Sequence, residues 1–332
     1  MKAARALSIA VMAAAVLGAP GRAALGDPLA GRDVPKFTQA PLDGLSAAGA
    51  LYFGHDEVST AYLHYDATGA PAGYAGHFMA DDFADQLNTP VVHVKWWGSY
   101  VKNQRIQPIS SFLIAFESDI PASQNPLGFS MPGAVLSSQI VSAGPLSPAS
   151  GTYTETPVSP GGPPLDEAVY EYNAELAVPF DQAPDTVYWL KIVALVDLPP
   201  GVQPGADPVT EWGWHDRDWT APNPLASAAV TPGEGVIGTV AGLPVWHFQD
   251  DAVFGDVVLP GPLPLPASPI VSQDPASFRP ALYIDDIDGP VGIGQFSKDL
   301  AFELYTVPEP ATLGLLAVGG LLAVWRRRNR PA

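Results

Sequence analysis

The sequence predicts an all-β fold, an antiparallel two-layer β-sandwich of jelly-roll type, on three observations. First, 37 Pro and 32 Gly punctuate the chain too often for long helices. Second, aromatic and β-branched residues cluster in short runs, the composition of a pleated, half-buried surface. Third, those runs alternate apolar and polar residues with a period of two, and turn signals separate them. About a dozen such runs suit two packed sheets, and the lack of an internal repeat argues against a propeller or solenoid.

Taken in order, residues 1–24 read as a helical signal peptide. Lys2 and Arg5 precede an uncharged stretch over 6–17, and the small residues Gly18, Ala19, Gly21, Ala23 and Ala24 follow. Residues 25–50 show little periodicity and are expected to be an extended lead-in to a β-sandwich domain over 51–305. The first strong strand is 91–100. Alternation puts Val92, Val94, Trp96 and Tyr100 on one face and His93, Lys95, Trp97 and Ser99 on the other, which predicts a half-buried strand. Phe112, Ile114 and Phe116 repeat the pattern with Glu117 opposite, and Asp119-Ile120-Pro121 ends it. Joined by residues 102–108, these two strands are expected to pair antiparallel.

Residues 121–165, rich in Pro, Ser and Gly, are expected to be a long exposed excursion with one strand at 134–141. Strand signals resume at 168–173. The run 186–196 is apolar on both faces except at Lys191, which predicts a central strand. Shorter strands are expected at 211–219, 245–248 and 252–254. A Pro-rich stretch over 259–280 then leads to 281–284 and a last strand at 300–305.

Composition narrows the function. The formal net charge is −18, and the segment between the two chain-end signals, about 280 residues, carries 9 basic and 33 acidic residues, net −24. Such a surface repels nucleic acid and anionic membranes, so neither is an expected partner. The chain has no Cys, which excludes disulfides, thiol nucleophiles, Cys-ligated zinc and Cys-linked lipid, but a segment this long buries a core without them.

After residue 306 come Val307, Pro308, Glu309 and Pro310, then an uncharged apolar run over 311–325, then Arg326, Arg327, Arg328 and Arg330. The prolines stop the preceding strand, and the arginines resist transfer through hydrocarbon, so residues 306–332 form a membrane stop with a cytoplasmic basic end. At roughly 1.5 Å per residue the run spans about 22 Å, short of the ~30 Å hydrocarbon core, which suits a temporary hold. This order of parts resembles the PEP-CTERM sorting signal of exported bacterial proteins. The resemblance implies partners in the secretion machinery and an exosortase, a membrane protease, with cleavage near Pro308-Glu309-Pro310. It also implies a membrane-anchored intermediate followed by a cell-surface or extracellular product. The alternative is an ordinary C-terminal membrane anchor. Met79-Ala80-Asp81-Asp82-Phe83, Trp96-Trp97-Gly98-Ser99-Tyr100, Tyr188-Trp189-Leu190 and Trp212-Gly213-Trp214-His215 resemble an uncharacterised β-rich domain of secreted bacterial proteins with such tails. That resemblance covers most of residues 76–255 and implies architecture and location, with no activity to carry over.

Three sets of residues are candidates for chemistry. Acidic pairs at expected strand edges, Asp81 with Asp82 and Asp286 with Asp288, and also Asp250-Asp251, supply oxygens of the kind one structural calcium needs; solvated turn aspartates are the alternative. No other cofactor is expected. Trp97, Trp214 and Trp219 are candidates for a sugar-stacking platform, against the plainer role of sandwich core. His215 with Asp216 and Asp218 is the strongest catalytic cluster, against a polar loop held by Arg217, and no catalytic residue is assigned. Nucleophile-elbow, zincin and phosphate-loop motifs are absent. The sequence reads as an exported, non-catalytic surface or extracellular-matrix protein that binds an extracellular polysaccharide. The alternatives are a secreted carbohydrate-active enzyme and a purely structural surface protein.

Overall fold

The computed structural model describes residues 33–49, 54–161, 167–227, 235–247, 252–283 and 298–307. The expected N-terminal signal peptide and the C-terminal tail, apart from Thr306 and Val307, lie outside these residues, as do Asp250, Asp251, Asp286 and Asp288. Among the described residues no helix is long and apolar enough to cross a membrane.

The chain is all-β. Its strands begin with β1 (Val34–Gln39), β2 (Asp56–Val58), β3 (Thr60–Tyr65), β4 (Pro71–Phe83), β5 (Val91–Tyr100) and β6 (Ile109–Ile120). They continue with β7 (Met131–Ala143), β8 (Thr152–Pro157), β9 (Val169–Phe180), β10 (Tyr188–Val196) and β11 (Trp212–His215). After the separate hairpin β12 (Gly235–Val240) and β13 (Leu243–His247) come β14 (Val253–Pro260), β15 (Ser272–Gln273), β16 (Arg279–Pro280) and β17 (Phe302–Thr306).

All but that hairpin belong to one folded-over sheet, whose path runs β1, β17, β5, β9, β8, β7, β6, β10, β3, β4, β14, β15. Most pairings are antiparallel; β10 with β3 and β7 with β8 are parallel, so the sheet is mixed. The half containing β1, β17, β5 and β9 faces the half containing β6, β10 and β4 across a shared core. Trp96 meets Phe112 with ring centroids 5.2 Å apart, and Phe83 meets Phe37 at 6.0 Å and Phe302 at 6.4 Å. At one end β11 pairs with β5 and with β2, whose chain runs on into β3, and so laces the halves together.

The strongest sequence signal holds: β10 is central, with β6 on one side and β4 and β3 on the other. Its second face, with Trp189, Val193 and Leu195, lies in a second core that includes Phe78, Leu113, Val257 and Phe278. The Pro-rich stretch after β14 folds back over this core, and Phe278 meets Phe78 edge-on at 5.2 Å.

Four expectations change. The strands β5 and β6 do not pair; they face each other across the core, because Lys102 and Asn103 both take a left-handed backbone (φ 55°) and turn the chain out of the sheet. Residues 121–165 are not mainly a surface excursion, since β7 and β8 fill the sheet between β6 and β9. The lead-in contains β1, an edge strand on β17. Finally, β5 is buried on both faces: His93 is 1%, Trp97 6% and Ser99 0% exposed. Its second face was expected to be open, but Val169 and Ala301 pack on Trp97, while the Ser99 hydroxyl lies within hydrogen-bond reach of the Asp56 and Glu167 carboxylates.

Candidate functional site

The tryptophans expected to stack on sugar do not share a surface. Trp97 sits in a small cluster with Val169 and Ala301. Trp214 is in the main core, its indole N–H donating to the Ala301 carbonyl at 2.8 Å. Trp219 packs with Leu42, Val245 and Tyr283. None is more than 6% exposed, so no ring face is open to a ligand. The physical reason is area: an indole that can be covered on both faces gains more by burial than by waiting for a ligand.

Asp81 and Asp82 are also fully buried, inside β4 rather than at its edge. As consecutive strand residues they point to opposite faces and cannot share one ion. Asp81 accepts from the Leu300 N–H at 2.6 Å; burial and the nearby Asp299 push its carboxyl well above the usual range.

His215 is the hub of a sealed ionic centre. On β11 it lies opposite Asp56 of β2, and its Nδ1 pairs with the Asp56 carboxylate while Nε2 donates to the Leu42 carbonyl at 3.0 Å. Burial opposes its charge, but Asp56 and the Leu42 carbonyl outweigh burial and lift the imidazole to about 9. Beside it Lys298 joins Glu57 and lies 4.0 Å from Asp216. Arg217 pairs with Asp299 at 2.9 Å, and Asp218 caps Thr220. Asp216 and Asp218 thus make no hydrogen bond to His215. Its true partner, Asp56, is 159 positions away and carried no local signal. With both ring nitrogens engaged and only 3% of the side chain exposed, this centre holds β2, β11 and the segment before β17 together and offers no open catalytic face.

A more open polar group lies at the end of the sandwich, where β5 leaves its layer and β8 runs alongside β9. Tyr100 and Arg105 line a cleft of about 430 Å³ together with Ile109, Pro145, Tyr153 and Glu155. The Glu155 carboxylate accepts from Tyr100 Oη at 2.5 Å, Tyr172 Oη at 3.1 Å and Arg105 Nη2 at 2.7 Å. The Arg105 guanidinium lies 4.2 Å from the Tyr100 ring centroid and 5.2 Å from that of Tyr170. Its side chain stays 49% exposed. Burial, with the Glu155 carboxylate beside it, raises the Tyr100 phenol, so Tyr100 remains a donor. A planar cation, a fixed carboxylate and apolar walls in one concavity are the features of a small polar-ligand site. Sequence reasoning missed it, because Glu155 lies in the stretch taken for a loop and only the pairing of β8 with β9 brings it to Tyr100 and Tyr172.

No curated protein and no solved structure matches the chain. Residues 306–328 match the PEP-CTERM protein-sorting motif, which implies export, a transient membrane-anchored state and processing by an exosortase. A second family model covers residues 35–250, more than half of the chain and the greater part of the folded-over sheet. By that match the chain belongs to the family described as a domain of unknown function, DUF7901.

Proposed function

We propose that the mature protein is a non-catalytic β-sandwich of the cell surface or extracellular matrix that binds a neutral polysaccharide in the cleft between Arg105 and Glu155. The observation that carries this reading is the Arg105–Glu155 pair at the mouth of a cleft walled by tyrosines. A guanidinium edge donates to sugar hydroxyls and its face stacks on an apolar sugar ring, while the carboxylate orients both. Glu155 neutralises Arg105, and the net charge of −24 between the chain-end signals repels polyanions, so a neutral glycan fits better than an acidic one. The sealing of the His215 centre supports binding without turnover.

The test is retention of the secreted protein on a panel of neutral and acidic glycans, with Arg105→Ala alongside and reducing-end release monitored. Weak retention on a neutral glycan is expected, surviving moderate salt and falling about tenfold in Arg105→Ala, the loss of roughly 1.4 kcal/mol. Release of sugar would put the carbohydrate-active enzyme first. No retention on any glycan would leave a purely structural surface protein.

A further inference from the structure

The outer face of β5 carries a second polar group, away from the cleft and from the His215 centre. His93 on β5 stands in register between Glu175 on β9 and Tyr305 on β17, and Asp33 enters from the residue before β1. One ligand atom from each of Asp33, His93 and Glu175 lies within 4.8 Å of the others. His93 and Asp33 side chains are 1% and 2% exposed, and Glu175 is 1% exposed.

The neighbours define which histidine nitrogen carries the proton. The Asn173 amide N–H donates to the Glu171 carboxylate at 2.8 Å, which turns its Oδ1 toward His93 Nε2 at 3.1 Å. An amide oxygen only accepts, so Nε2 bears the hydrogen, and in the neutral ring Nδ1 presents a lone pair. That buried Nδ1 makes no hydrogen bond. It points toward Asp33 Oδ2, 3.4 Å away, beyond hydrogen-bond length. Two carboxylates around an imidazole lone pair are a donor set for a cation. With metal–ligand bonds of about 2.0–2.1 Å, tetrahedral ligands stand about 3.3 Å apart, close to the separation seen here. The imidazole is oriented by Asn173 behind it and by the stacked Tyr305 ring at 4.8 Å, the second-layer support that histidine ligands receive in metal sites.

We propose that Asp33, His93 and Glu175 bind a single divalent transition-metal ion, zinc being the reference case, with one position left for water. The nitrogen donor and the small number of oxygens set it apart from an oxygen-only calcium site. The ion joins the start of β1 to β5 and β9. In a chain without cysteine it acts as the cross-link that a disulfide supplies elsewhere. It also lies beside the point where β17 leaves the sheet toward Pro308.

The test uses the secreted protein, purified without a histidine tag and stripped with a chelator. Zinc added back is expected to bind at one ion per chain by elemental analysis and, at a hundredfold excess over its Kd, to raise the unfolding midpoint by ~5 °C or more; calcium is expected to do neither. His93→Gln should abolish both effects while its circular dichroism spectrum stays that of the parent. If that variant does not fold, Asp33→Asn at the sheet's end gives the same readout. A folded parent that binds no zinc and shows no shift would make Asp33 and His93 a plain ion pair and overturn the proposal. So would zinc binding that persists in the His93 or Asp33 variant.

Discussion

At the scale of single residues, the centre around His215 makes stability depend on pH in a defined direction. His215 rises from an ordinary 6.5 to about 9 when folded, so between those values the folded state holds a proton that the unfolded chain has released. Its contribution is complete below pH 6.5 and is lost as pH rises through 9. Burial pushes Asp216 from 3.8 up to about 7 against the pull of Lys298, and the same sign applies: its contribution is present below 3.8 and lost through 7. Glu57 works the other way. Burial opposes its charge, but the hydrogen bond from His55 and the charge of Lys298 hold it near 2, so its contribution is present above 4.5 and lost as pH falls through 2. Together they place the optimum of this centre at about pH 4, between the ordinary values of Asp216 and Glu57. Urea titrations at pH 5, 7 and 9 should show a steady fall, with a loss on the order of 3 kcal/mol tied to His215. His215→Gln should flatten the part between 7 and 9; a fall of unchanged size in that variant would assign it to other groups. None of this was legible from the sequence, since Asp216 and Asp218 stood closest to His215 in the chain, while Asp56 and the Leu42 carbonyl engage its ring nitrogens.

At the scale of elements, β10 shows how a strand accommodates a charge in a dry core. Lys191 is fully buried and bonds the Glu117 carboxylate of β6 at 2.5 Å, with Gln273 bridging to the other Glu117 oxygen at 3.0 Å. Its register partners on the flanking strands are Ala115 and Ala80, whose small side chains leave room for the lysine stem, and its ammonium lies 3.9 Å from the Phe78 ring centroid. Burial lowers the Lys191 ammonium against the pull of Glu117. Glu117→Leu alone strands that cation and should cost about 3–5 kcal/mol in a guanidinium titration. Lys191→Met with Glu117→Leu should recover most of the loss, because two apolar side chains of similar volume replace the pair. A double variant no better than the single one would mean that the packing of this layer depends on the pair. The strand itself was legible, because a nine-residue run apolar on both faces has few other homes. The role of Glu117 was half legible: alternation put it on the face opposite Phe116, but nothing local showed which strand supplied its partner.

At the scale of the whole molecule, β17 leads straight from the sandwich into the sorting motif at residues 306–328. The last folded residues therefore adjoin the expected cleavage region. Mass spectrometry of the released protein should find a C-terminus near Pro308. Deleting residues 326–330 should let the tail slip through the membrane and impair processing, so that exported chains keep their tail, since the arginines stop transfer. Intact peptides from residues 313–328 in released protein would contradict processing at this motif.

The sequence by itself determined the all-β class, the position of the strongest strands and the export of the chain. Those properties are local: alternation over five to ten residues reports a strand, and a sorting motif is recognised as a linear segment. Tertiary structure decided which strands are neighbours and which second faces are covered. Trp97 became core because Val169 and Ala301 close over it. Arg105 reached Glu155 because β7 and β8 enter the sheet. Asp33, His93 and Glu175 met because β1, β17, β5 and β9 lie in that order. Such meetings follow from sheet order, set by how the apolar faces of the whole chain pack together, and no window of sequence contains that information.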